Sequence, residues 1–267
     1  MLVRCPLHLF AALAFASAAS AQPPARPEFE VASVKPNASG GQGFSIQALP
    51  AGLQARNISL KRLIAMGYSV TDFQIFGELP WLESARFDVE AKTAVKTALP
   101  ELRLMMQSLL DERFQLKFHR ETRDLPILTL SFVKNGVKGP GLTDAPGEPC
   151  GPPVAPEKTA AGLPRALCGT VNPARGRIFG QRGRISQLCD RLSALLGRTV
   201  VDKTGLAGAY DIELTFAPDP APGVPDSEPA GPSLFTAMRE QLGLKLESGK
   251  GPVEVVVVDS AVRVEGN

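Results

Sequence analysis

Histidine, tryptophan and tyrosine are scarce in this chain, which has two, one and two of them in 267 residues. His8 falls in the apolar N-terminal stretch, so a multi-histidine metal centre or a Ser-His-Asp triad would have to be built on His119 alone. Its neighbours Lys117, Arg120 and Arg123 fit an exposed strand end better than a catalytic base. Charge of either sign is not in excess: the formal net charge is +2, which gives no field to draw in nucleic acid or an anionic surface. Beyond the N-terminus no apolar run approaches the roughly 20 residues that cross a bilayer. The longest, residues 253–258, is strand-sized. Cys150, Cys168 and Cys189 are spaced in no paired metal-ligand pattern, so neither a metal nor a cofactor is expected.

What is present begins with a leader. The stretch MLVRCPLHLFAALAFASAASAQ puts Arg4 ahead of an apolar run at 7–16 and closes on Ala19, Ser20 and Ala21. That is the order of a secretory signal peptide, 1–21, cleaved after Ala21 to leave a secreted or periplasmic chain without a transmembrane segment. In such a compartment Cys150 and Cys168, which share a Pro- and Gly-rich segment, are expected to form a disulfide. Closing that loop contributes about 3 kcal/mol in the chain-entropy model. Cys189, beside Leu188 and Leu192 at helical spacing, reads as a small buried apolar residue, and a disulfide involving it stays open.

Hydrophobic periodicity orders the rest. A strand is expected at 29–34 and a hairpin over 44–55. A helix capped by Ser59 carries Leu60, Leu63, Ile64 and Met66; after the strand at 87–91, a second helix starts near Pro100 with Leu102, Met105, Met106, Leu109 and Leu110 on one stripe. Strands are expected at 114–118 and 127–133, then a Pro-, Gly- and Ala-rich linker over 138–184. Ser186 is placed as the cap of a third helix that ends at Gly197. The segment TVVDKTGLAGAYDIELTF, 199–216, reads strand, turn, strand, with Asp202 and Thr204 bonding their own backbone. A Pro-rich insertion at 217–232 precedes a helix capped by Ser233, and strands follow at 244–246 and 253–258.

The second half echoes the first. Ile58-Ser59 corresponds to Ile185-Ser186, the strand FDVE at 87–90 to YDIE at 210–213, and LKF at 116–118 to LKL at 244–246, at a nearly constant offset of about 125 residues. The expectation is an α+β fold of two related helix-strand-helix-strand-strand units, 22–137 and 185–267, each a small sheet with helices on one face, plus N-terminal strands.

Five segments carry a resemblance: FEVASVKPN at 29–37, ISLKRLIAMGY at 58–68, FDVEAK at 87–92, LLDERFQLKFHRETR at 109–123 and VVDKTGLAGAYDIEL at 200–214. Over the mature chain they resemble a family of exported soil-bacterial proteins of unknown function. Some relatives in that family carry the region fused to a membrane metallopeptidase sensor, which implies an extracytoplasmic input module. The second unit, with its VVD strand and LFTAMREQLGLKLE at 234–247, is similar to the short domain at the front of secretins and TonB-dependent receptors, implying contact with protein rather than catalysis.

For chemistry, Ser131 and Lys134 make an SxxK spacing and Lys203-Thr204-Gly205 a KTG, the chain order of serine penicillin-recognising enzymes. That chemistry needs the serine at a helix N-terminus, whereas an alternating strand sends Ser131 and Lys134 to opposite faces. Asp88 and Asp211 are equivalent in the two units, which favours a shared structural role over acid-base work. Trp81, Asp202, Thr204 and Asp211 are the candidate contact residues for an unknown envelope protein or small ligand. A non-enzymatic interaction module is therefore expected, with a serine hydrolase acting on cell-wall peptides or β-lactams as the alternative.

Overall fold

A long two-stranded ladder runs through the molecule and carries a small sheet at either end. The computed structural model describes residues 26–41, 43–147, 150, 167–218 and 231–265; the expected leader lies outside them, as does most of the 217–232 insertion. The first half contains β1 (Val31–Pro36), β2 (Ser45–Leu49), β3 (Gly52–Ser59), α1 (Leu60–Tyr68), β4 (Ile75–Gly77), β5 (Arg86–Lys92), α2 (Leu99–Phe114) and β6 (Lys117–Phe132). The second contains β7 (Leu142–Asp144), β8 (Thr170–Ala174), β9 (Arg177–Gly183), α3 (Ile185–Leu196), β10 (Val200–Asp202), β11 (Tyr210–Thr215), α4 (Leu234–Ala237) and β12 (Leu244–Ser260). A π-helical turn, Met238–Leu242, joins α4 to β12. This is a mixed α+β fold.

Each half closes an antiparallel sheet: β1-β5-β3-β2 in the first, β7-β11-β9-β8 in the second. Between them lies a sheet of order β10-β6-β12-β4, in which β6 and β12 pair antiparallel, β10 runs parallel to β6, and β4 parallel to β12. In the first half Ser59 Oγ accepts from the Arg62 N–H at 3.3 Å, and Pro100 occupies the first turn of α2. α1 packs on α2 closely at Gly67, where a Cβ would come within 3.2 Å of Met106 Cγ and 3.3 Å of Leu110 Cδ1. The core beneath these helices includes Ile58, Leu63, Phe87, Val89, Leu110 and Phe114. In the second half Leu188 and Leu192 of α3 pack with Ile178, Ile212, Leu214 and Met238.

Four sequence expectations change. The strands expected at 127–133 and 253–258 are pieces of longer ones: β6 and β12 pair from Leu244↔Phe132 to Ser260↔Lys117. The buried side of this ladder switches along its length. Leu128, Leu130 and Leu244 face the second core and Val256 and Val258 the first, but in the middle Ile127, Val253 and Val255 form a third cluster on the other face. Arg120, Thr122, Asp124 and Pro126 lie exposed opposite that cluster, so a charged run belongs to a strand. Residues 114–116 leave the expected strand, because Phe114 ends α2 and Gln115 takes a left-handed conformation. The 138–184 interval holds β7, β8 and β9: β7 and β8 are short edge strands, and β9 lies between β11 and β8 and buries only Ile178, Phe179 and Gly183. The cap of α3 is Arg184 rather than Ser186, which falls inside the first turn.

Candidate functional site

The turn after β10 and the end of β6 come together. Parallel pairing sets Asp202 beside Leu130, and the Lys203 N–H donates to Leu130 O at 2.8 Å, bringing the KTG segment next to Ser131. Asp202 Oδ1 accepts from the Thr204 N–H at 2.8 Å and from Thr204 Oγ1 at 2.7 Å; the Leu206 N–H then donates to Thr204 Oγ1 at 3.2 Å. Gly205, at φ +73°, completes the turn without a Cβ clash. The polar atoms of Asp202 and Thr204 thus close the loop they stand in.

Across the ladder, Ser131 is paired with Lys245. Ser131 Oγ lies 3.5 Å from Glu247 Oε2, and Lys245 Nζ donates to Glu247 Oε1 at 2.9 Å. The Lys245 hydrogen bond and charge, with smaller help from Ser131 and Arg239, hold the Glu247 carboxyl below its ordinary value. A carboxylate so stabilised is a poor base for a serine hydroxyl. Lys134 lies in the bend beyond the end of β6, and Ser131 sits on a strand rather than one helical turn before it. Beside this set a pocket of about 280 Å³ is lined by Phe235, Arg239, Lys245, Leu246 and Glu247. None of those five residues was a candidate site residue in the sequence, because their approach depends on the β6–β12 register and on the π turn.

The other candidates are dispersed. Asp211 Oδ1 accepts the Arg182 N–H at 2.8 Å, and Asp88 Oδ1 accepts the Asn57 N–H at 2.9 Å. Asn57 and Arg182 both have φ +53° and both lie where the ladder register shifts. Burial alone would raise the Asp88 carboxyl, but the Asn57 N–H, the Asn37 amide and Arg56 outweigh it and lower its pKa. Trp81 is half-buried and edge-on to Phe87, with ring centroids 6.4 Å apart, so its ring packs on the first core. His119 Nδ1 is 2.8 Å from Asp259 Oδ1 at a half-exposed strand end. Cys150 and Cys168 are disulfide-bonded. Cys189 is buried and free, and burial, with Asp202 and Asp190 nearby, pushes its thiol up to about 12. No group of three or more metal-ligating side chains is found among the described residues.

A family model described as "Protein of unknown function (DUF3738)" matches residues 61–261. No curated protein and no solved structure matches the chain.

Proposed function

From the premise that this chain belongs to the DUF3738 family, we propose that it is an exported, non-enzymatic binding or sensor-input module of a soil bacterium's cell envelope. One observation carries this reading: the carboxylates at the candidate positions and beside Ser131 are spent on the fold. Asp88 and Asp211 hold backbone N–H groups, Asp202 and Thr204 close a turn, and Glu247 is paired with Lys245. The leader at 1–21 and the Cys150–Cys168 disulfide support export to an oxidising compartment. Among the described residues no helix is long and apolar enough to cross a membrane.

The two halves are read as copies of one unit. The supporting features are the matching strand orders of the outer sheets, the left-handed Asn57 and Arg182, and the aspartates that accept their N–H groups. The secretin-like sequence of the second half supports a protein partner, and Trp81 and the 202–204 turn remain the proposed contact positions. A second reading, hydrolysis of cell-wall peptides or β-lactams by Ser131, has one observation in its favour: the Lys203 N–H bond to Leu130 O places the KTG segment beside that serine. The mature chain, 22–267, incubated with a fluorescent penicillin and a fluorophosphonate, is expected to remain unlabelled. Covalent labelling abolished by Ser131→Ala would establish the hydrolase instead.

A further inference from the structure

Every sheet has two edges, and unpaired backbone groups along an edge invite another strand unless something blocks them. In the second half β8 carries Pro173, which has no N–H, and Arg191 Nε donates to Val171 O at 2.9 Å. β7, β4 and β10 are three residues each. In the first half β1 ends in Lys35 and Pro36, and Arg113 Nη2 donates to Ala32 O at 3.4 Å.

The remaining edge, β2, has none of these devices. Its sequence SIQAL holds no charge and no proline, and among the described residues no side chain bonds its backbone. Phe44, Ile46 and Leu49 are 44%, 42% and 40% exposed. Ile46 is paired with the fully buried Ala55, so it lies on the core side of the sheet, next to Phe44, whose ring is covered by Arg62 of α1.

We propose that β2 pairs antiparallel with β2 of a second copy of this chain, about a two-fold axis at Gln47, joining two four-stranded sheets into one of eight. An isologous contact sets each residue near its own copy, so a charge close to the axis would repel itself. Residues 37–55 contain no charged side chain, in a chain that is 21% charged. The axis at Gln47 places Ile46 opposite Ala48 of the other copy, which continues the core-side face across the joint, and Ser45 opposite Leu49 on the other face. Five residues a side bury less than the ~800 Å² per partner of a standard interface, so association is weak, with half-dimerisation on the order of 100 µM.

Sedimentation velocity of the mature chain over a concentration series is the test. The dimer fraction is expected to rise with concentration and to fall at least tenfold in Ile46→Lys, whose far-UV circular dichroism should match the parent. Gln47→Cys should cross-link two copies under mild oxidation, and Asn172→Cys on the β8 edge should not. A parent that stays monomeric to millimolar concentration with Gln47→Cys uncross-linked overturns the proposal, and means that β2, if used, takes a strand from another protein. A dimer unchanged by Ile46→Lys overturns it too, placing the contact elsewhere.

Discussion

Asn57 and Arg182 are two unlike side chains doing comparable work. Each takes a left-handed conformation where a strand slips register, each gives its N–H to an aspartate, and each uses its side chain to hold a preceding loop. Asn57 Nδ2 donates to Gly41 O at 2.7 Å, and the Arg182 guanidinium donates to Ala145 O, Pro146 O and Gly147 O at 2.7 to 2.8 Å. The correspondence of the aspartates was readable in FDVE and YDIE, but their partners were not, because a bulge is fixed by non-local pairing. Asp88→Ala leaves the Asn57 N–H and the Asn37 amide without their acceptor, and a loss of about 1–2 kcal/mol is expected in urea unfolding. The same carboxylate shapes the acid limb. Its pKa is lower folded than unfolded, so the stability it contributes is complete above the unfolded value, about 3.9, and is lost as pH falls through the folded one. The stability difference between parent and Asp88→Asn should therefore shrink as pH falls below about 4; a difference constant from pH 7 to pH 2 would show that the charge plays no part.

The helices α1 and α3 and the strands β5 and β11 were the legible elements, because each buries one constant face. The YDIELT strand alternates buried and exposed along its whole length, and Leu63 and Ile64 of α1 sit on a stripe set by helical spacing. β6 was legible only at its two ends, since its buried face changes partway and its middle is a run of charges held by the ladder with β12. The polar set around Ser131 was illegible for a related reason: Glu247 and Lys245 meet it only through a register between strands more than a hundred residues apart. The π turn at Met238–Leu242 was equally hidden, and it has a task. It aims Gln241 at the edge of β11, where Gln241 Oε1 accepts from the Thr215 N–H at 2.9 Å and Nε2 donates to Thr215 O at 2.7 Å. One side chain thus supplies the two bonds that a neighbouring strand would. Gln241→Ala is expected to cost about 1–2 kcal/mol and to raise amide exchange at Thr215 first; unchanged exchange there would remove this role.

Across the whole molecule, the second half carries a covalent restraint, the Cys150–Cys168 disulfide. The N-terminal sheet rests on its helices α1 and α2, whereas the C-terminal sheet receives β7, β8 and β9 from chain that composition marked as linker. Two ties hold that chain in place: the Arg182 fork to the carbonyls of 145–147, and the disulfide between Cys150 and Cys168, whose Cα atoms are 5.5 Å apart. The loop they enclose spans a sequence separation of 18, and cross-linking it removes about 3 kcal/mol of chain entropy from the unfolded state. At about 2–4 °C per kcal/mol for a chain of this size, Cys150→Ser with Cys168→Ser should lower Tm by roughly 6–12 °C. Because the effect acts through the unfolded chain, it should appear without loss of native secondary structure. Reductant should lower the parent to the variant's Tm and leave the variant alone, since Cys189 is buried in the second core and takes no part. A parent indifferent to reductant would mean that the Arg182 fork and the β8–β9 pairing hold this segment unaided; a variant that also responds would mean that Cys189 exchanges into the pair.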